Sequence, residues 1–142
     1  MKSSLAVVSC TLLLAACASA PEQTTGTTAN AVMRPASGSQ VHGNVTLAET
    51  GNAVRVNAEL AAVPSGLITL RIYEKGDCSA ADAASAGIFE RELGPLQPDE
   101  YGKAVARYTV TGTSVSKNSG GLLGKALVVQ QGKDRIACGS IE

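Results

Sequence analysis

The chain has 142 residues, with 12 Lys plus Arg against 12 Asp plus Glu, so its formal net charge is zero. That balance excludes the strongly basic surface that nucleic-acid binding uses. Trp is absent and Phe occurs once, so any core must be built from Val, Leu, Ile and Ala.

Lys2 followed by the apolar run "LAVVSCTLLLAA" reads as a secretory signal, because the run is too short to span a bilayer as a permanent helix. The run ends in "LAAC", Leu14 to Cys17, the pattern of a bacterial lipobox, in which the peptidase cuts before Cys and the thiol carries lipid. An ordinary signal cut after "ASA", Ala18 to Ala20, is the alternative. Acyl chains on Cys17 would anchor the protein at about 0.8 kcal/mol per buried methylene. Ala18 is not the Asp of an inner-membrane retention signal, so the expected location is the outer membrane, facing the periplasm. The expected organisation is therefore a lipoprotein signal peptide over 1–16, a disordered tether over 17–31, and one domain over 32–142.

Along the domain, period-two runs recur and no helical period is sustained. "VHGNVTL" puts Val41, Val45 and Leu47 on one face. "VRVNAEL" does the same with Val54, Val56, Ala58 and Leu60, and "ETGN" between them is a hairpin turn. "LITLRIYE" gives Ile68, Leu70 and Ile72 to the core, so Arg71 and Tyr73 are expected to project outward. "SAADAASAG" is expected as a loop, "KAVARYTV", "KALVVQ" and "RIACGSI" are further strands, and "SKNSGG" is a loop tip. The pattern predicts an all-β antiparallel sandwich or barrel.

Of the four cysteines, Cys10 leaves with the signal and Cys17 is lipidated or lost. Cys78 and Cys138 remain, and in an oxidising compartment they most simply form a disulfide, with two free buried thiols as the alternative. Closing that loop is worth roughly 4 kcal/mol in the chain-entropy model.

Five segments, "SGSQVHGNVTLAE", "IYEKGDCSAADAASAG", "YGKAVARYTV", "GGLLGKALVV" and "RIACGSI", occur in the order found in the bacterial copper-zinc superoxide dismutases. The chain resembles that family over about residues 32–142. The resemblance implies a Greek-key β-barrel of eight antiparallel strands. It also implies a bond between the cysteines of "GDCS" and "RIACG", which are Cys78 and Cys138.

The family's metals need imidazoles: copper takes four His nitrogens, one of them bridging to zinc, and zinc takes two more His and an Asp. Here Arg71 and Tyr73 stand at two copper positions, Ile88 at the bridging position and Gln130 at the last copper position. Glu92 falls where the zinc Asp would be, and Arg135 matches the family's active-site arginine. "FERELGPL" and "QQGKD" run directly into the next matching segments, so both long active-site loops are deleted. Read without the family, Arg135 is an ordinary surface residue. The single histidine, His42, lies on the polar face of an early strand and is expected to be exposed. Glu49, Glu74, Asp77, Asp82 and Glu90 look like solvated turn residues, and neither a Ser-His-Asp arrangement nor a phosphate loop has the required spacing.

These readings predict no metal site, no cofactor and no catalysis. They predict an envelope lipoprotein that acts as a binding or structural module, bound to the membrane by its lipid and to an unknown envelope protein. Arg71, Tyr73 and Gln130 are the expected contact trio, free of any covering loop. Two alternatives remain: residual metal binding or superoxide dismutase activity, and a weak anion site on Arg71 and Arg135.

Overall fold

The computed structural model describes residues 26–142. The expected signal peptide, Cys17 and most of the expected tether lie outside the described residues. The chain forms eight strands: β1 (Thr28–Pro35), β2 (His42–Thr50), β3 (Ala53–Ala61), β4 (Ile68–Tyr73), β5 (Phe89–Leu96), β6 (Ala104–Thr111), β7 (Ala126–Gln131) and β8 (Asp134–Ser140). All pairings are antiparallel, in the order β5-β4-β7-β8-β1-β2-β3-β6. The first half of that order and the second half make two sheets, joined where Arg34 and Pro35 of β1 pair with Cys138 and Ala137 of β8. The β3–β4, β5–β6 and β6–β7 connections cross between the sheets, which gives the expected Greek-key barrel.

The alternation read from the sequence sets the inside of this barrel. Val54, Val56, Ala58 and Leu60 of β3 face the core, and Arg55, Asn57 and Glu59 face solvent. Val45 and Leu47 of β2 and Ile68, Leu70 and Ile72 of β4 join the same cluster. In β7, by contrast, Ala126, Leu127, Val128 and Val129 are all buried. That strand is covered on both faces, and a continuous apolar run is what double coverage requires.

The first strand starts earlier than the expected boundary at residue 32. Thr28 to Ala31 belong to β1, and Ala29 and Ala31 are buried. Small alternating side chains suffice there because the strand lies between β2 and the chain's end. Asn30 exchanges both backbone bonds with Glu142, at 2.8 and 2.9 Å. β5, built from "FERELGPL", was also not expected as a strand. Gly94 and Pro95 break its sequence pattern, and two register shifts break its ladder with β4.

β5 and β6 are the two ends of the sheet, and side chains close the seam between them. The Tyr108 hydroxyl of β6 donates to Pro95 O at 2.8 Å. Its ring lies against Gly94, where a Cβ would sit 2.9 Å from Cε1, so only glycine fits. Burial pushes the half-buried Tyr108 phenol up to about 12.

Candidate functional site

The candidate site is the outer face of the sheet formed by β4, β5, β7 and β8, under the segment 74–88 that links β4 to β5. This segment is held down at several points. Cys78 is bonded to Cys138 of β8, with Cα atoms 5.6 Å apart and 60 residues between them. Gly76 N–H donates to Gly124 O at 2.7 Å, and Ser37 N–H to Ala81 O at 2.7 Å. Within it the Ser85 hydroxyl donates to Asp77 O at 2.8 Å. Hydrogen bonds from the Ser79 side chain, then from its backbone, hold the Asp77 carboxyl below its usual value. Ala83 and Ala86 are fully buried, and with Ala36, Tyr73, Ala126, Val128 and Cys138 they make a second small core outside the barrel. The Ala-rich stretch is thus a loop, as expected, with one 3-10 turn at Ala84–Ala86, and its small side chains let the backbone lie close to the sheet.

Arg71, Tyr73, Gln130, Arg135 and Glu92 are brought together beneath and beside this loop. Arg71 pairs in register with Glu92 across β4 and β5, and its Nη2 lies 2.9 Å from Glu92 Oε2. Its Nε donates to Thr69 Oγ1 at 3.1 Å, and its guanidinium lies 5.2 Å from the centre of the Phe89 ring. Phe89 meets Tyr73 edge to face, with centroids 5.9 Å apart and planes at 70°. The Tyr73 hydroxyl donates to Gln130 Oε1 at 2.7 Å, and Gln130 Nε2 donates to Gly132 O at 2.9 Å. Arg135 stacks over the Tyr73 ring at 4.2 Å. Its Nη1 and Nη2 donate to Ala83 O at 2.8 Å and Gly87 O at 3.2 Å.

Three expectations are corrected by this geometry. Tyr73 does not project into solvent: it is 3% exposed, because the loop and Arg135 cover the outer side of its strand. Arg135 is not an ordinary surface residue but the pin between the loop carbonyls and the tyrosine ring. An anion site on Arg71 and Arg135 has no free guanidinium to use, since one is paired with Glu92 and the other is spent on carbonyls and a ring. Ile88 and Phe89 are the residues left open, at 68% and 46% exposed.

The residues do not fit the copper and zinc that the resemblance assigns to this face. Glu92, the one carboxylate among those positions, is neutralised by Arg71. Gln130 has both ends of its amide engaged, and Ile88 offers no donor atom. Among the described residues no group of three His, Cys, Asp or Glu could hold a metal ion. His42 is exposed, and its Nδ1 lies 2.8 Å from Gln40 O. The other carboxylates serve local structure. Glu49 accepts from Val115 N–H at 2.9 Å, Asp82 from Ala84 N–H at 3.0 Å, Glu90 pairs with Lys125 and Glu74 with Lys75.

Reading the sequence missed Phe89 and the closure of the loop. The signal lay in "AADAASA", a run of small residues beside the bridged Cys78. Such a run packs tightly where bulky side chains could not.

No family model matches the chain, and no curated protein matches it. Among solved structures it is similar to the one titled "Crystal Structure Analysis of the clock protein EA4", with a TM-score of 0.68 and 23% identity. The match covers 83% of this chain and 95% of that one. The likeness is one of fold: an all-β barrel shared over nearly the whole described domain.

Proposed function

We propose that this protein is a non-catalytic module of the superoxide dismutase-like barrel type, anchored in the bacterial envelope through Cys17, and that it works by contact. The face that carries metals in the family it resembles is its contact surface, with a different set of residues from the trio named on sequence. Ile88 and Phe89 are the anchors, flanked by Arg71 and Glu92, and Tyr73, Gln130 and Arg135 form the rigid floor. One observation carries this reading: an exposed Ile-Phe pair stands where the loop enters the edge strand β5, on a backing fixed by a disulfide, a stacked arginine and a buried tyrosine. Aromatic and arginine side chains on a rigid base are the usual anchors of an interface.

The test is a photo-crosslinking amino acid placed at residue 88 or 89 in producing cells, with the exposed residue 101 in the β5–β6 connection as control. A discrete adduct at 88 and 89 that is absent at 101 supports the reading. Identical patterns at all three positions, or none, count against it.

A further inference from the structure

The outer face of the other sheet differs in one respect from the face just described: its arginines are uncommitted. Arg55 lies on β3 and Arg107 on β6, both pointing to solvent. Among the described residues the ion pairs involve Arg71, Lys75 and Lys125, and neither Arg55 nor Arg107. The register sets Arg55 opposite Thr109 and Asn57 opposite Arg107, with Thr46 of β2 on the far side of Asn57. The two arginines are therefore diagonal neighbours, about 7–8 Å apart at the backbone, and long side chains meet across that span. Together with Asn57, Thr46 and Thr109 they line an open groove of about 650 Å³. A single carboxylate, Glu59, stands at one end of it, opposite Val105.

We propose that this groove is a binding site for a phosphate-type oxyanion, clamped between the Arg55 and Arg107 guanidiniums, with the Asn57 amide and the Thr46 and Thr109 hydroxyls as further donors. Guanidinium presents parallel N–H groups that match two oxygens of such an anion, which an ammonium cannot do. The strands beneath are fixed by the fully buried Val54, Val56 and Ala58, so the donors sit on a rigid base. Glu59 repels anion at one end and biases the ligand toward the Arg55 end. The site is independent of the contact surface proposed above, since it lies on the other sheet and shares no residue with it.

The same chemistry is offered by free phosphate and by a lipid headgroup, and two arms separate them. In the first, the isotope-labelled full chain is titrated with inorganic phosphate at constant ionic strength, and the amide signals of residues 46, 55–59 and 105–109 are followed. The expected result is saturable movement confined to those signals. It should weaken roughly tenfold in Arg55→Gln and again in Arg107→Gln, the loss of one charge-assisted contact each, and tighten in Glu59→Gln. Arg55→Lys keeps the charge and the stem, and it also binds more weakly because the fork is lost. In the second arm, sedimentation with phosphatidylglycerol vesicles is compared with phosphatidylcholine vesicles, for wild type and for the Arg55→Gln, Arg107→Gln pair. Preference for phosphatidylglycerol that the pair loses assigns the oxyanion to a headgroup, and phosphate binding without that preference assigns it to a free anion. If chloride reproduces the phosphate shifts, or if the variants bind phosphate as wild type does, the site does not exist.

Discussion

The two outer faces of this barrel are built from similar strands and have opposite fates. On the β1-β2-β3-β6 side every second residue meets water, and the arginines there carry no internal partner. On the β5-β4-β7-β8 side the 74–88 loop lies over the strands, and the two arginines beside it are committed, Arg71 to Glu92 and Arg135 to Ala83, Gly87 and the ring of Tyr73. The covering loop makes the difference. It turns a solvated strand face into a second core, in which a tyrosine is buried and a cation is used for structure. A residue's availability for function is thus decided by what crosses above its strand as well as by its own alternation.

Substitutions should divide along that line. The largest effect is expected for Tyr73→Ala, which empties the floor of the covered face and should cost about 3–5 kcal/mol in denaturant unfolding. A change under about 0.5 kcal/mol there would show that the loop does not close on the tyrosine. Cys78→Ser should cost about 2–5 kcal/mol by the same measurement, because the bond that holds the loop to β8 is lost. In the same variant, hydrogen exchange should speed up at residues 74–88 and remain slow in β3, and uniform acceleration would break the comparison. Arg135→Ala loses two hydrogen bonds and the stack on Tyr73, for about 1–3 kcal/mol. Arg71→Ala removes a partly exposed ion pair and should cost about 0–1 kcal/mol.

Tyr108 gives a pH-dependent effect at the seam. Its phenol is held at about 12 in the folded chain, above its ordinary value of about 10 in the unfolded one. Below pH 10 both states keep the proton, and the group adds no slope. Between about pH 10 and 12 the unfolded chain releases the proton first, so stability falls as pH rises. Tyr108→Phe should flatten that alkaline limb relative to wild type. An unchanged limb in equilibrium unfolding from pH 9 to 12 would show the phenol to be solvated.

Most of the barrel could be read from the sequence because one-sided burial leaves a period of two, as in "VRVNAEL". β1 and β5 could not. The N-terminal half of β1 buries only Ala29 and Ala31 beside polar residues, and part of its pairing is with the far end of the chain, through Asn30 and Glu142 and through β8. β5 is an edge strand whose alternation is broken by register shifts. The candidate site was half legible. The positions 71, 73, 92, 130 and 135 do meet, but Tyr73 and Arg135 were each assigned the wrong side of a surface. Outwardness along β4 and β8 follows from alternation, whereas cover depends on contacts between the loop and β8 across 48 to 60 residues of sequence. No local pattern records that contact.

On the covered face Arg71, Tyr73, Gln130 and Glu92 are engaged with protein partners, which leaves no donor set for copper or zinc among the described residues. The most direct test is to load the purified, disulfide-intact full chain with copper and zinc, desalt it, count bound metal by elemental analysis and measure superoxide decay. Far less than one metal per chain, and decay no faster than in protein-free buffer, is the predicted result. Copper retained one to one, with dismutation that a chelator abolishes, would contradict it.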